Sequence, residues 1–341
     1  MIIEDIAYGK EYIDEKVLLD LLNSKAVARI KSICNQGVPK EFLADGEPDY
    51  SRYDHSTGVM IVLRRIGANV EEQAAGLLHD VSHTAFSHVA DYVIGSGTEE
   101  NYQDNMHSKY FAEGTELYEI LKSNDMDPKR IAEPMNFGLL ERDQPYICAD
   151  RVDNSVRHMA HLKNTEFLNL VVPSIMAHDG YMAFTNIDAA REFAYAHEAW
   201  LPEVYGYGGL DADMDIRYYI LGSAIKIAMK EGAVTKEDFE LTDSEFLEKL
   251  DSPDIKEVET LLDFLRSNRK KILYETTDKD PKVILYSKFR YVDPFFIKDN
   301  KLIRLSEAEP SYRERIERNR ALNKKGVKLS SVEGLEIPII T

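Results

Sequence analysis

Apolar residues recur at three- and four-residue spacing along most of residues 1–268, a period that predicts a mainly α protein. "VLLDLLNSKAVARIKSI" (Val17 to Ile33), "STGVMIVLRRI" (Ser56 to Ile66), "NVEEQAAGLLHDVSH" (Asn69 to His83) and "HSKYFAEGTELYEILKSN" (His107 to Asn124) each read as a helix. Further helices are predicted from Phe137 to Leu168, Ile187 to Leu201, Ile216 to Lys230, Lys236 to Phe239 and Asp243 to Arg266. Gly67 suits a helix stop, and Asn69 with Glu72 suits a capping box that opens the next helix. From about Lys270 the pattern turns to β-branched and aromatic runs, "KILYET", "KVILYSKFRYVDPFFI" and "KLIRLS", with turn signals at "DKDP" and "KDNK". The expected architecture is a helical body over residues 1–268 and a small strand-bearing α+β subdomain over 269–341.

At 341 residues and 44% hydrophobic content the chain can fill a sizeable core. No apolar run approaches the roughly 18 residues of a spanning helix. The mean hydropathy is −0.37, and "IIEDIAYGKE" after Met1 carries no basic leader. These features predict a soluble, cytoplasmic protein without membrane contact. A net charge of −18 repels polyanions over most of the surface, so extended nucleic-acid binding is not expected. A small anion held by a metal and a few local cations remains compatible with that charge. Cys34 and Cys148 are too few and too far apart for a disulfide scaffold or a thiolate cage. The one basic stretch, Tyr312 to Lys328, reads as a solvated helix or as a contact for another subunit or an anion.

Candidate chemistry gathers in "SRYDHSTGVM" and "GLLHDVSHTAFSHVAD", where His55, His79, His83 and His88 supply four of the chain's nine histidines. His79 and Asp80 are adjacent, and His83 lies one helical turn beyond His79 on an otherwise apolar face, where polar groups need partners. A metal is one such partner. His55, on the preceding helix, meets the pair if the two helices pack antiparallel across Gly67 and Ala68. Imidazole and carboxylate ligands suit a borderline or hard divalent ion with positions open for water and substrate. A fourth ligand must come from elsewhere, and Asp150 in "ICADRVDNS" is favoured because it interrupts an apolar helical face.

His55, His79-Asp80 and Asp150 together resemble the H…HD…D signature of the HD-domain metal-dependent phosphohydrolases. The flanks "SRYDHSTGV", "GLLHDVSHTAFSH" and "ADRVDNSVRH" are similar to the deoxynucleoside-triphosphate triphosphohydrolase branch, which includes bacterial dGTPases and the animal sterile-alpha-motif/HD protein. The resemblance runs from about Leu18 to Asp243 and extends to "RYVDPFFIKDNKLIRLSE".

The resemblance implies an HD-type helical body with one divalent ion (manganese, iron, zinc, nickel or magnesium) held by His55, His79, Asp80 and Asp150. The implied reaction is hydrolysis of a small-molecule nucleotide by water activated at that ion, with release of triphosphate. It places His83 and His88 on the phosphate side, gives proton transfer to His107 and its orientation to Asp91, and sets Arg52 on the α-phosphate. Tyr195 and His197 would close over the nucleotide, and Gln36 would contact the sugar, although its spacing to His55 is displaced by one residue. The sequence departs from the branch at Asn154 and His158, where deoxynucleotide hydrolases carry a tyrosine and an aspartate that sense the sugar. Weak or reversed deoxy-over-ribo discrimination, or a different nucleotide phosphate as the natural substrate, is therefore expected. A nucleotide monophosphatase, or a phosphodiesterase with a second ion at His83, His88 and His107, would share the cage. A nucleotide sensor with a decayed centre is the reading from outside the enzymes, and assembly into a homo-oligomer is left open.

Overall fold

The computed structural model describes residues 1–94, 106–205, 212–252 and 254–338, for 201–205 the backbone alone. Its body is helical, and three helices make its framework: Arg52–Arg65, Val70–Leu78 and Ala149–His161. The first of these opens on a reciprocal cap. Ser51 Oγ accepts from the Asp54 amide at 3.1 Å while Asp54 Oδ2 accepts from the Ser51 amide at 2.9 Å, so two otherwise orphaned donors are satisfied. The Arg52–Arg65 helix packs against both others. Two glycines allow the close approach. A methyl group at Gly76 would press on Leu63, and one at Gly58 would overlap Asp153 and Arg157.

Two hydrophobic cores flank this framework. One lies beneath the three helices and takes in Val59, Leu77, Val152, Phe193 and Trp200. The other surrounds the Asp213–Lys230 helix, which packs on Lys256–Ser267 and Val89–Ile94, and includes Phe42, Phe86, Phe239 and Phe246. Both cores span residue 268: Val292, Phe296, Leu305 and Tyr312 belong to the first, and Leu285, Val327 and Leu329 to the second.

The sheets are small. Ile2–Asp5 and Gly9–Tyr12 form a hairpin, and Tyr274–Thr276, Val327–Val332 and Val283–Leu285 form an antiparallel sheet with the second strand central. The four-stranded sheet runs Ile175–His178, Tyr181–Phe184, Phe295–Lys298, Lys301–Arg304, with only the middle pair parallel. Strands from the C-terminal segment therefore continue a hairpin embedded in the helical part.

Several predicted helices are interrupted, and for three of them a residue with a competing preference lies at the break. The run from Val17 to Ile33 breaks into Lys16–Leu22 and Lys25–Arg29 because Ser24 accepts from the Val27 amide at 3.3 Å and starts a new helix. The run from Phe137 to Leu168 is helical only over Ala149–His161 and Thr165–Val171, with Lys163 left-handed between them. His107 to Asn124 contains a short 3-10 turn and the helix Glu116–Ser123, separated by the left-handed Gly114. Asp243 to Arg266 divides into Asp243–Asp251 and Lys256–Ser267. The Ile175–Phe184 hairpin turns on Asp179 and Gly180, both left-handed, the pairing a two-residue β-turn requires. Among the described residues no helix is long and apolar enough to cross a membrane.

The contact at Gly58 yields a counterintuitive expectation. Alanine normally stabilises a helix interior by up to about 1 kcal/mol over glycine. Here its methyl would part the buried Asp153–Arg157 pair, and breaking a buried ion pair costs about 3 kcal/mol or more. Gly58→Ala should therefore lower the thermal unfolding midpoint by several degrees; a raised midpoint would show that the two helices separate without loss.

Candidate metal centre

Four side chains from three segments converge. His55 sits in the first turn of the Arg52–Arg65 helix, fully buried, with Nε2 2.9 Å from Asp150 Oδ1 and 3.3 Å from His79 Nε2. Asp80 approaches from the other side, Oδ2 at 3.8 Å from His55 Nε2 and Oδ1 at 3.5 Å from His79 Nε2. His79 Nε2 lies 3.7 Å from Asp150 Oδ1. The Val70–Leu78 helix stops before this pair, and His79 is its C-terminal cap. The predicted helical face through His83 is thus replaced by a turn, which lets consecutive residues His79 and Asp80 both face inward.

Local sequence explains the placement. Asn69 Oδ1 accepts from the Glu72 amide at 2.8 Å, but Glu72 does not reciprocate as a capping box would. Its carboxylate instead accepts from the amides of Leu139 and Leu140 at 2.8 and 3.2 Å. Those residues in turn accept from the amides of Ala149 and Asp150 at 2.8 and 3.4 Å. Glu72 therefore fixes the start of the helix that carries Asp150.

The histidine tautomers are set from behind. His79 Nδ1 lies 2.8 Å from the Gly76 carbonyl, which only accepts, so the proton is on Nδ1 and the Nε2 lone pair faces the cage. His55 Nδ1 lies 2.8 Å from Asp153 Oδ2, with the same consequence. His55, His79 and Asp80 each offer a ligand atom within 4.8 Å of the other two, and Asp150 Oδ1 lies 2.9 and 3.7 Å from the two histidines, a spacing that suits ligands about 2.1 Å from one divalent ion. The electrostatics agree. Without an ion, burial alone would lower His55, yet its hydrogen bonds to Asp150 and Asp153 raise it to about 9, so the cage draws a proton onto Nε2 where a cation would otherwise sit. Burial would raise Asp80 and Asp150, but His79 and Arg52 hold the first, and His55 and His79 the second, well below the usual carboxylate range. The residues fit a resident divalent cation.

A second convergent group, Glu141, Cys148 and Asp150, has a different partner. Arg151 Nη2 reaches Glu141 at 3.0 Å and Nη1 reaches Cys148 Sγ at 3.2 Å, so a guanidinium neutralises it. Burial and the Glu141 charge push the Cys148 thiol well up, which keeps it protonated. His83, His88 and His107 do not form a convergent ligand group among the described residues.

The other expected site residues divide into two sets. Arg52, His83, His88, Asn154 and His197 line one cavity of about 320 Å³ together with His79, Asp80 and Asp150. Arg52 contacts Asp80 Oδ2 at 2.8 Å, the Asn35 carbonyl at 2.9 Å and Ser87 Oγ at 3.2 Å, so it orients a ligand. Asn154 donates to Asp150 Oδ1 at 2.9 Å and accepts from Asn35 at 3.1 Å. His83 Nε2 lies 3.2 Å from Asp80 Oδ1; burial and Arg52 lower it to about 3. Asp91 backs His88 at 3.4 Å.

Gln36, His107, His158 and Tyr195 do not line that cavity. Gln36 is buried, and its carbonyl accepts from Tyr218. His107 Nδ1 lies 2.9 Å from Ser82 Oγ, and burial with the His79 charge lowers it to about 4. His158 stacks on Trp200, and Tyr195 packs against Tyr312.

Sequence reasoning missed Arg151, Lys288, Arg290 and Tyr291, which line the same cavity. Tyr291 is tied down by its amide, which donates to Gln144 Oε1 at 3.2 Å, and Asp293 by its amide, which donates to the Pro145 carbonyl at 2.8 Å. No spacing in "SKFRYVD" announces this role. The turn at Phe86 and Ser87 is left-handed at both residues, a strained geometry offset by Asp243, which accepts from the Phe86 and Cys34 amides at 2.8 and 2.7 Å.

An HD-domain family model matches residues 52–173, the range that contains all four donors. The chain belongs to the HD-domain phosphohydrolase superfamily and is a metal-dependent phosphohydrolase. The protein YdhJ of Bacillus subtilis is 32% identical over 340 residues, covering 96% of this chain and 98% of its own. The metal-dependent phosphohydrolase cns2 of Cordyceps militaris is 39% identical over 157 residues, 46% of this chain and 44% of that protein. In fold, the chain is similar to a phosphohydrolase from Bacteroides thetaiotaomicron, with a TM-score of 0.59, 18% identity and coverage of 91% and 94% of the two chains. A hypothetical protein from Aquifex aeolicus gives a TM-score of 0.64 at 16% identity, covering 94% and 99%.

Two measurements test the centre. Asp150→Ala removes an anionic donor at the edge of the core, so metal content by elemental analysis should fall to background while circular dichroism stays near wild type. Full occupancy would take Asp150 out of the ligand set.

The second measurement concerns His197, which burial and the cations Arg151 and Arg290 lower from 6.5 to about 3. The unfolded chain then binds a proton that the folded one refuses, so this contribution to stability is intact above pH 6.5 and is lost as pH falls toward 3. His197→Gln should lose less unfolding temperature than wild type between pH 7 and pH 5, and equal losses would contradict the assignment.

Proposed function

We propose that this phosphohydrolase acts on a nucleotide, and that its reaction is release of triphosphate from a nucleoside triphosphate. The observation that carries the reading is one of charge. In a chain of net charge −18, a single cavity places four cations, Arg52, Arg151, Lys288 and Arg290, around the donor cage. Three carboxylates, Asp80, Glu141 and Asp150, share that lining. With a divalent ion added the cavity is clearly positive, which suits a substrate of several negative charges.

A divalent ion held by His55, His79, Asp80 and Asp150 would neutralise phosphoryl charge and lower the pKa of water. Two nitrogens and two carboxylates suit manganese or iron better than a soft ion. The chain's own residues supply the rest. His83 and His197 are neutral at working pH, and their buried Nδ1 and Nε2 atoms lack a partner among the described residues, so they can hydrogen-bond phosphate oxygens. His88, backed by Asp91 and lining the cavity, is better placed than His107 to hold a proton for the leaving oxygen. Lys288 and Arg290 would grip the phosphates farther from the cage. Asn154 leaves more room near the sugar than a tyrosine would.

The deciding experiment offers ribo- and deoxynucleoside triphosphates, monophosphates and cyclic dinucleotides with manganese, magnesium and iron, and reads products by chromatography. Nucleoside and triphosphate are expected. Inorganic phosphate from monophosphates alone, or opening of the cyclic substrates, would replace this reading by a monophosphatase or a diesterase. On the favoured substrate, Lys288→Ala with Arg290→Ala should raise KM by about tenfold or more with a smaller effect on kcat, as expected for charge-assisted hydrogen bonds made in the ground state.

A further inference from the structure

The first dozen residues form a hairpin that buries Tyr8 in the core with Ile3 and Ala7 packed against it, and leaves the rest of its large apolar side chains outside. Ile2, Ile6 and Tyr12 are 62%, 57% and 60% exposed. A two-stranded ribbon is only marginally stable alone, and Tyr8 anchors this one. It also delivers Asp5 inward. Its side chain is 3% exposed, and Oδ1 accepts from the amides of Ala7 and Tyr8 at 2.8 and 3.0 Å, which fixes the carboxylate within the turn. Oδ2 accepts from Arg157 Nη2 at 2.8 Å. Arg157 donates onward to Asp153 from Nε at 2.9 Å and from Nη2 at 3.0 Å, and Asp153 meets His55 Nδ1 at 2.8 Å. Four consecutive buried side chains thus join residue 5 to a ligand of the metal centre.

We infer that the N-terminal hairpin is an integral part of the metal centre, with Asp5 a positioning residue that acts on His55 through Arg157 and Asp153. The inference rests on the metal-centre reading of His55, His79, Asp80 and Asp150. Its physical basis is the matching of buried charge. Arg157 lies between two carboxylates, and a buried guanidinium deprived of one draws harder on the other. Asp153 would then be pulled from His55 Nδ1. The imidazole would lose the acceptor that fixes its ring angle and keeps the Nε2 lone pair turned into the cage. Partners behind a metal-bound histidine typically govern affinity by about 10- to 100-fold.

The test separates this role from simple anchoring of the hairpin. Asp5→Asn keeps Oδ1 for the turn amides and removes the charge facing Arg157. Arg65→Ala loosens the same hairpin from outside, since Arg65 holds the Tyr8 carbonyl at 2.7 Å and Glu11 at 3.0 Å without touching Arg157. Metal-free wild type and both variants are titrated with manganese(II) alone, free ion being read by electron paramagnetic resonance and thermal midpoints recorded alongside. Asp5→Asn should weaken manganese binding about tenfold, with Arg65→Ala within about twofold of wild type even where its midpoint falls as far. Unchanged affinity in Asp5→Asn, or an equal loss in both variants, overturns the positioning role. Absence of saturable binding in wild type overturns the metal centre and the relay together. Should Asp5→Asn not fold, Arg157→Lys carries the same expectation, because one ammonium keeps the charge but cannot span both carboxylates.

Discussion

The buried hydrogen bond between His55 Nδ1 and Asp153, the carboxylate that Arg157 also holds, is the contact on which the rest of the structure depends. It joins the Arg52–Arg65 helix to the Ala149–His161 helix one turn before Gly58, where a side chain would overlap Asp153 and Arg157. Asp150 and Asp153 lie on adjoining positions of one helical turn, so a single histidine is gripped from both sides. The arrangement is costly unless each charge is matched, since an unpaired buried ion is far less tolerable than a buried pair. Arg157 and Asp5 match Asp153, while Arg52 and the histidines match Asp80 and Asp150. Satisfying these groups together dictates helix spacing, the bend after Leu78 and the seat of the hairpin.

How much of this was legible in the sequence follows from which forces are local. The four candidate donors stood out because the residues and their flanks lie in short stretches whose chemistry excludes a plain core. Helix existence was readable for the same reason, as with Val70–Leu78 and Asp213–Lys230, whose apolar spacing is regular. Their limits were not. The end at Leu78 is set by tertiary demand on His79 and Asp80, and Glu72 leaves its capping role for amides 67 and 68 residues away. The Asp179-Gly180 turn was a local signal that went unread because the flanking strands, "IMAH" and "YMAF", are short and weakly patterned. The place of Lys288 and Arg290 in the cavity lining could not be read at all, because they reach it only through long-range pairing.

The C-terminal segment shows why a change in composition is a poor guide to how a chain packs. Its strands look unlike the helical body in sequence, yet Phe295–Lys298 adds in parallel to Tyr181–Phe184, and the connection before it lies on the cavity. Arg320 over the rings of Phe289 and Tyr291, at 4.8 and 4.6 Å, braces that connection from the Pro310–Asn323 helix. The same helix, read from sequence as a basic stretch of uncertain purpose, buries Tyr312 and Ile316 and pairs Arg315 with Glu198. Part of its charge thus serves packing, next to the helix that supplies His197.

Charge distribution then links stability to chemistry. An acidic chain keeps polyanions away from most of its surface, while the cavity wall gathers cations where the donor cage lies. Arg52 and Arg151 are committed to Asp80 and Glu141 in this structure, so they cannot simply be counted as vacant phosphate clamps. Their first effect is to make the local carboxylates tolerable. Once a divalent cation shares the charge of Asp80 and Asp150, the same guanidiniums have less negative charge to answer and more attraction left for an incoming anion. A cation held by the cage would therefore favour an anion at the same place through the arginines, although the net charge of the chain is strongly negative.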